Sequence, residues 1–305
     1  MAEGLAVRCA PSSLARGEPL IGTASRVRRW LVVEQWGSWG VEALTESKLP
    51  TQVAGPLAES AARHRVRVLL TRRPGDRRRD GDRQVFLAHT GAESRWIEQL
   101  EIPGARPERL LDLDLGRLAF PEAPGIGDAG PSGLALVCTN GRHDPCCADF
   151  GRPVARALAD AGVPDVWECS HVGGDRFAAN IVVLPDGVYY GRVQPEDAAA
   201  LVTAHRGGAI GLDNFRGRSH LPPLVQAADL FARRHLGEAR VEGLSVLSTE
   251  PRADGTVAVL IEQRDGATLE VVVAREHSAE AAQLTCHVAR LGRPWGYRLV
   301  EVRAA

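Results

Sequence analysis

The stretch LALVCTNGRHDPCC, residues 134–147, decides how this chain is read. Leu134–Cys138 is an apolar run of strand length that ends in a cysteine, and Thr139–Asp149 reads as a loop. A helix is expected over Gly151–Ala161, with Val154, Leu158 and Ala161 on one face, and a second strand over Val166–Cys169. After a glycine-bearing loop, Ile181–Leu184 and Val188–Val193 read as two strands joined by Pro185-Asp186-Gly187, a good hairpin turn. Pro195–Arg206 then reads as a helix, with proline near its first turn and acids early.

The same order is written earlier in the chain. Trp30–Glu34 is a short β-type run, Leu57–His64 suits a helix, and Val66–Thr71 and Gln84–His89 read as strands. Leu110–Leu115 continues the β signal through its Leu/Asp alternation. Between the halves lies a Pro/Gly-rich linker, residues 121–133. Beyond Leu236, strands are expected at Ser245–Thr249, Val257–Gln263, Thr268–Ala274 and Tyr297–Val302, with a helix over Ser278–Leu291 capped by Ser278. The expected organisation is an irregular arm (1–26), an α/β unit (27–120), the linker (121–133), a second α/β unit (134–235) and a small C-terminal α+β appendage (236–305).

Composition narrows the function classes. The 305 residues carry 37 basic and 38 acidic side chains, a net charge of -1, so no overall basic field exists to hold nucleic acid or an anionic membrane. Arg77-Arg78-Arg79 is interleaved with Asp76, Asp80 and Asp82, which reads as a solvated turn. No apolar run approaches the roughly 18 residues of a membrane span, and the N-terminal stretch lacks the apolar core of a secretory signal. A cytoplasmic protein is expected. Of the six cysteines, Cys138, Cys146, Cys147 and Cys169 crowd into one short region, while Cys9 and Cys286 lie far off and read as structural. In a reducing compartment such clustering points to a metal site or redox chemistry. Gathered thiolates satisfy iron or zinc, and imidazole or carboxylate completes the shell, with His171 and Asp175 close by. Gly173 and Gly174, lacking Cβ, would let the backbone pass close to a bulky cluster. Cys286-His287 is a weaker ligand pair. Trp36, Trp39 and Trp167 read as core packing rather than electron relays. No P-loop, dinucleotide fingerprint or nucleophile elbow is present.

The runs CTNGRHDPCC, CSHVGGDRFAANIVVLPDGVYYGRV and GTASRVRRWLVVEQWGSWG together resemble the sucrase/ferredoxin-like family, over most of residues 9–240. The resemblance implies thioredoxin-like domains in tandem, the first degenerate and structural, the second holding one [2Fe–2S] cluster for one-electron transfer. A reductase and an acceptor protein are then implied as partners, with neither nucleic acid nor membrane. No glycosidase carboxylate pair is recognisable, so the chain is expected to be a redox carrier rather than a catalyst.

Carried over residue by residue, Cys138 matches the first family cysteine, Cys147 the second, and His171 the first of two histidines. Asp175 stands where the eukaryotic pattern has the second histidine. The fourth ligand is then either Asp175 through a carboxylate oxygen or Cys169, two residues before His171 and on the same side of an extended strand. Cys169 is preferred because iron in such clusters favours sulfur, and Cys146 can stand in for Cys147 in either set. Arg142, Arg152 and Arg176 flank the motifs and could offset cluster charge. Two rivals stay open. One is a thiol–disulfide oxidoreductase on the same fold, using Cys146, Cys147 or Cys169. The other is a binding module stapled by zinc.

Overall fold

The computed structural model describes residues 8–76, 78, 80–288 and 291–305; Arg77, Arg79 and residues 1–7 of the expected arm lie outside the described residues. In chain order the first part comprises α1 (Cys9–Ala15), β1 (Arg29–Glu34), α2 (Ala43–Glu46), α3 (Thr51–His64), β2 (Arg67–Arg72), β3 (Arg83–Thr90), β4 (Arg95–Ile102) and β5 (Asp128–Ala129). The middle comprises β6 (Leu134–Cys138), α4 (Pro145–Asp160), β7 (Val166–Cys169), β8 (Ile181–Leu184), β9 (Val188–Tyr190), α5 (Pro195–Arg206), β10 (Phe215–Arg218) and α6 (Pro223–Leu236). The last part comprises β11 (Leu244–Pro251), β12 (Val257–Gln263), β13 (Thr268–His277), β14 (Ala282–Gln283), β15 (Leu291–Gly292) and β16 (Trp295–Ala304).

The molecule is a mixed α/β structure built on one ten-stranded sheet, ordered β10-β9-β8-β6-β7-β2-β1-β3-β4-β5. Two strand groups repeat one pattern. β6 pairs parallel with β7 and antiparallel with β8, which pairs antiparallel with β9. Likewise β1 pairs parallel with β2 and antiparallel with β3, which pairs antiparallel with β4. The groups meet at β2 and β7 through two registered pairs, Thr71 with Cys169 and Arg72 with Glu168.

β6 shows why these residues make a central strand. All five side chains are buried, and alternation sends Ala135 and Val137 to the core under α4, α5 and α6. Leu134, Leu136 and Cys138 face the opposite core, with Trp30, Phe86 and Trp167. Trp167 meets Phe86 edge to face, and Trp36 and Trp39 are likewise buried, Trp39 beneath the Arg72 guanidinium. A second sheet, β11-β12-β13-β16, lays Val259, Ile261, Val271 and Val273 against α6.

Four expectations fail, each for a physical reason. The arm expected to be irregular carries α1, because Cys9, Ala10 and Ser13 are buried on one side of a helical turn. Leu110–Leu115 is no strand: it forms 3₁₀ turns over Pro107–Asp112 and Leu115–Ala119, because Leu110, Leu115 and Leu118 reach the α3 core while Leu111 is exposed. Ser278–Leu291 is not a helix among its described residues. It carries β14, whose Ala282 and Gln283 pair with Gly292 and Leu291, and a loop bonded to Asp144. The loop expected over Thr139–Asp149 ends at Asp144, since Pro145 opens α4 and makes Cys146 and Cys147 helical.

Candidate metal centre

The start of α4 is set by Asp144-Pro145. Asp144 holds extended dihedrals and its carboxylate accepts the Cys146 N–H at 2.8 Å, while proline at the first helical position gives up a donor that would have had no partner. Consecutive helical residues diverge by about 100°, so the two adjacent thiols leave α4 in different directions. Cys147 turns toward the end of β6. Gly151, four residues on and on the same face, lies so close that a Cβ there would enter the Cys138 carbonyl oxygen. The missing side chain is what seats α4 on β6.

Cys138, Cys147 and His171 place their ligand atoms within 4.8 Å of one another. The Cys147 Sγ is 3.8 Å from His171 Nδ1 and 3.5 Å from Asp175 Oδ1, and His171 Nδ1 is 3.0 Å from Asp175 Oδ1. His143 stacks on His171 with ring centroids 3.6 Å apart, and His143, His171 and Asp175 form an overlapping group of candidate ligands. The 171–175 loop is fixed from behind. Arg67 donates to the His171 carbonyl at 2.6 Å, Ser25 to that of Val172 at 2.8 Å, and Arg216 to that of Gly173 at 3.0 Å.

The electrostatics concentrate charge on Cys138. A hydrogen bond from Cys147 holds its thiol well below the ordinary range despite complete burial, helped by His171 and the Val172 N–H. The same bond, and then burial, push Cys147 well above that range. Burial opposes protonation of His171, but the bond to and charge of Cys138, with Asp175, more than offset it and raise the imidazole. The neighbours of Cys138 thus favour its ionised form, and Cys138 and Asp175 favour the charged form of His171. Arg216 supplies a further buried cation. Burial lowers it to about 10, so it stays charged, and it also donates to Asn180 and to both oxygens of Thr23.

Not every expected residue joins this group. Cys169 is the registered neighbour of Cys138 on the parallel strand, yet its sulfur lies outside the group, and burial pushes its thiol well up. Cys146 turns away toward Cys9 and Cys286 and does not stand in for Cys147. Gly173 and Gly174 have φ of +97° and +85°, and a Cβ at either would meet the Ser25 hydroxyl or the Arg216 guanidinium. Arg176 is committed to Glu18 at 2.6 Å, whereas Arg142 and Arg152 are exposed and line a cleft of about 320 Å³ with Arg72 and Asn140. His143, Asp144, Gly151 and Arg216 escaped the sequence reading. Only Asp144-Pro145, a helix-start dipeptide, carried a usable signal.

Among the described residues, no helix is long and apolar enough to cross a membrane. No curated protein matches the chain. The family model described as sucrase/ferredoxin-like matches residues 20–217, more than half of the sequence.

Proposed function

The chain belongs to the sucrase/ferredoxin-like family, and we propose that it is a one-electron carrier with a [2Fe–2S] cluster on Cys138, Cys147, His171 and Asp175. The observation that carries this reading is the meeting of the Cys138, Cys147 and His171 donors within 4.8 Å of one another, with the Asp175 carboxylate against both His171 and Cys147. The donor set fits the group, since sulfur and imidazole are iron–sulfur ligands. Asp175 is favoured over Cys169 because its oxygen is within 3.0 Å of the His171 nitrogen and 3.5 Å of the Cys147 sulfur. The repeated strand order supports a tandem thioredoxin-like arrangement, with no cysteine in the first copy. When bound, the cluster supplies reversible one-electron chemistry. The chain supplies burial, a fixed loop, and the Arg216 and Arg67 charges that offset the ligands' negative charge. A reductase and an acceptor protein complete the reading.

A second reading rests on spacing. Donors of a tetrahedral ion with bonds of about 2.3 Å stand about 3.8 Å apart, close to the 3.5 and 3.8 Å measured from Cys147. One zinc ion therefore suits these contacts as they stand, whereas two irons require the donors to open into two pairs. A thiol–disulfide exchange enzyme is disfavoured, because every cysteine except Cys286 is buried from a protein substrate.

Anaerobic purification with iron, acid-labile sulfide and zinc analysis decides among them. The proposal expects iron and sulfide in equal amounts, a red-brown spectrum, and loss of all three on Cys138→Ala. Absence of sulfide, with one zinc per chain lost on Cys138→Ala, decides for the second reading.

A further inference from the structure

Cys146 leads to a second gathering of donors, built from parts of the chain far apart in sequence. Cys9 opens α1, Asp144 and Cys146 begin α4, and Cys286 lies in the loop between β14 and β15. Their ligand atoms all lie within 4.8 Å of one another. The Cys9 and Cys146 sulfurs are 3.7 Å apart and those of Cys146 and Cys286 3.6 Å apart, while Cys9 Sγ is 3.6 Å from Asp144 Oδ2. Cys9, Asp144 and Cys146 are fully buried, and Ala10 and Ala178 pack around the sulfurs.

We infer that Cys9, Cys146 and Cys286, with Asp144, form a separate site for a soft divalent cation of the Zn²⁺ type. The sulfur spacings match the roughly 3.8 Å edge of a tetrahedral shell with metal–sulfur bonds near 2.3 Å. Three thiols and one carboxylate make the four donors of a closed structural site. The carboxylate is oriented as such a ligand should be. Its oxygens accept the Cys146 N–H at 2.8 Å, the Cys286 N–H at 2.6 Å and the Thr285 hydroxyl at 2.9 Å. A disulfide does not account for the arrangement, because Cys146 is nearly equidistant from two sulfurs and either pairing strands the third beside a buried carboxylate. The site shares no donor with the centre on Cys138, so it stands or falls apart from the electron-carrier reading. Bound metal would tie α1 and the C-terminal segment to the start of α4, and its affinity would add to folding stability.

The test uses Co²⁺ as probe on the full chain carrying Cys138→Ala and Cys147→Ala, which disables the first centre. One equivalent of Co²⁺ should bind with the thiolate-to-metal absorption of a tetrahedral site. Adding Cys286→Ser or Cys9→Ser should lower that absorption by about a third, one thiolate of three. A folded chain, by far-ultraviolet circular dichroism, that shows no such band overturns the inference, as does a band indifferent to both serine variants. Should the double variant fail to fold, the wild-type chain and Cys286→Ser decide by elemental analysis. Loss of one zinc with iron and sulfide unchanged supports the site, and unchanged zinc overturns it.

Discussion

Gly151→Ala sets two effects of opposite sign against each other. Inside a helix, glycine is worse than alanine by about 0.5–1 kcal/mol, so on α4 alone the change should stabilise. The structure argues otherwise. The new methyl would enter the Cys138 carbonyl oxygen and lie 3.1 Å from its carbon and 3.4 Å from Thr139 Cγ2. The obstacle is backbone at the end of a fully buried strand, which cannot swing aside as a long side chain would. Relief requires α4 to back away by about 1 Å, and overpacking of this kind costs about 1–3 kcal/mol. The net expectation is a loss of roughly 1–2 kcal/mol. Cys147 is one turn earlier on the same face, so the retreat also draws its sulfur from Cys138, His171 and Asp175. Urea unfolding of the metal-free chain reads the first effect, and metal per chain after reconstitution reads the second. A variant that is stabilised by its better helix propensity and still loads fully would refute the reasoning.

Three more outcomes are expected. Asp144→Ala, measured with chelator present, should cost about 2–4 kcal/mol through loss of the α4 cap and of the acceptor for the Cys286 N–H and Thr285 hydroxyl, with Asp144→Asn intermediate; equal unfolding midpoints for wild type and alanine variant would contradict this. Asp175→His replaces a charged ligand by a neutral one and should raise the midpoint potential in a redox titration, so a lower potential would count against Asp175 as ligand. Burial, with Arg218 beside it, holds His220 at about 4 instead of 6.5; the unfolded chain takes up this proton first, so stability is intact above pH 6.5 and falls by about 3 kcal/mol as pH drops through 4. The acid limb of a melting-temperature profile should flatten in His220→Gln, and an unchanged limb would show that His220 does not set it.

The strands were legible because LALVC and IVVL are short, apolar and bounded by turn residues, which leaves little else for them to be. The start of α4 was not, because CCADFG offers no apolar period; only Asp144-Pro145 marks it. That one misreading had chemical consequences, since a loop permits Cys146 and Cys147 to exchange roles and a helix does not. Ser278–Leu291 has helical composition, but Cys286 and Thr285 bond Asp144 instead, a tertiary contact outweighing local preference. Cys138 and His171 could be grouped from sequence because Cys138 ends β6 and His171 lies just past β7, the adjacent strand of the same unit. Cys9 and Cys286 could not, since their partners on α4 lie more than 130 residues away in either direction.

The adjacent thiols at the head of α4 make the loop before them a measuring device. Removing one residue between Thr139 and Asp144, or adding one, would rotate the helix by about 100° relative to β6. Ala148 or Cys146 would then face Cys138 where Cys147 belongs, and both sulfur clusters would be broken by one slip of the reading frame of the coil. Natural variants of this chain should therefore hold that loop to one length, while letting the exposed turn at Ala253–Gly255 grow or shrink freely.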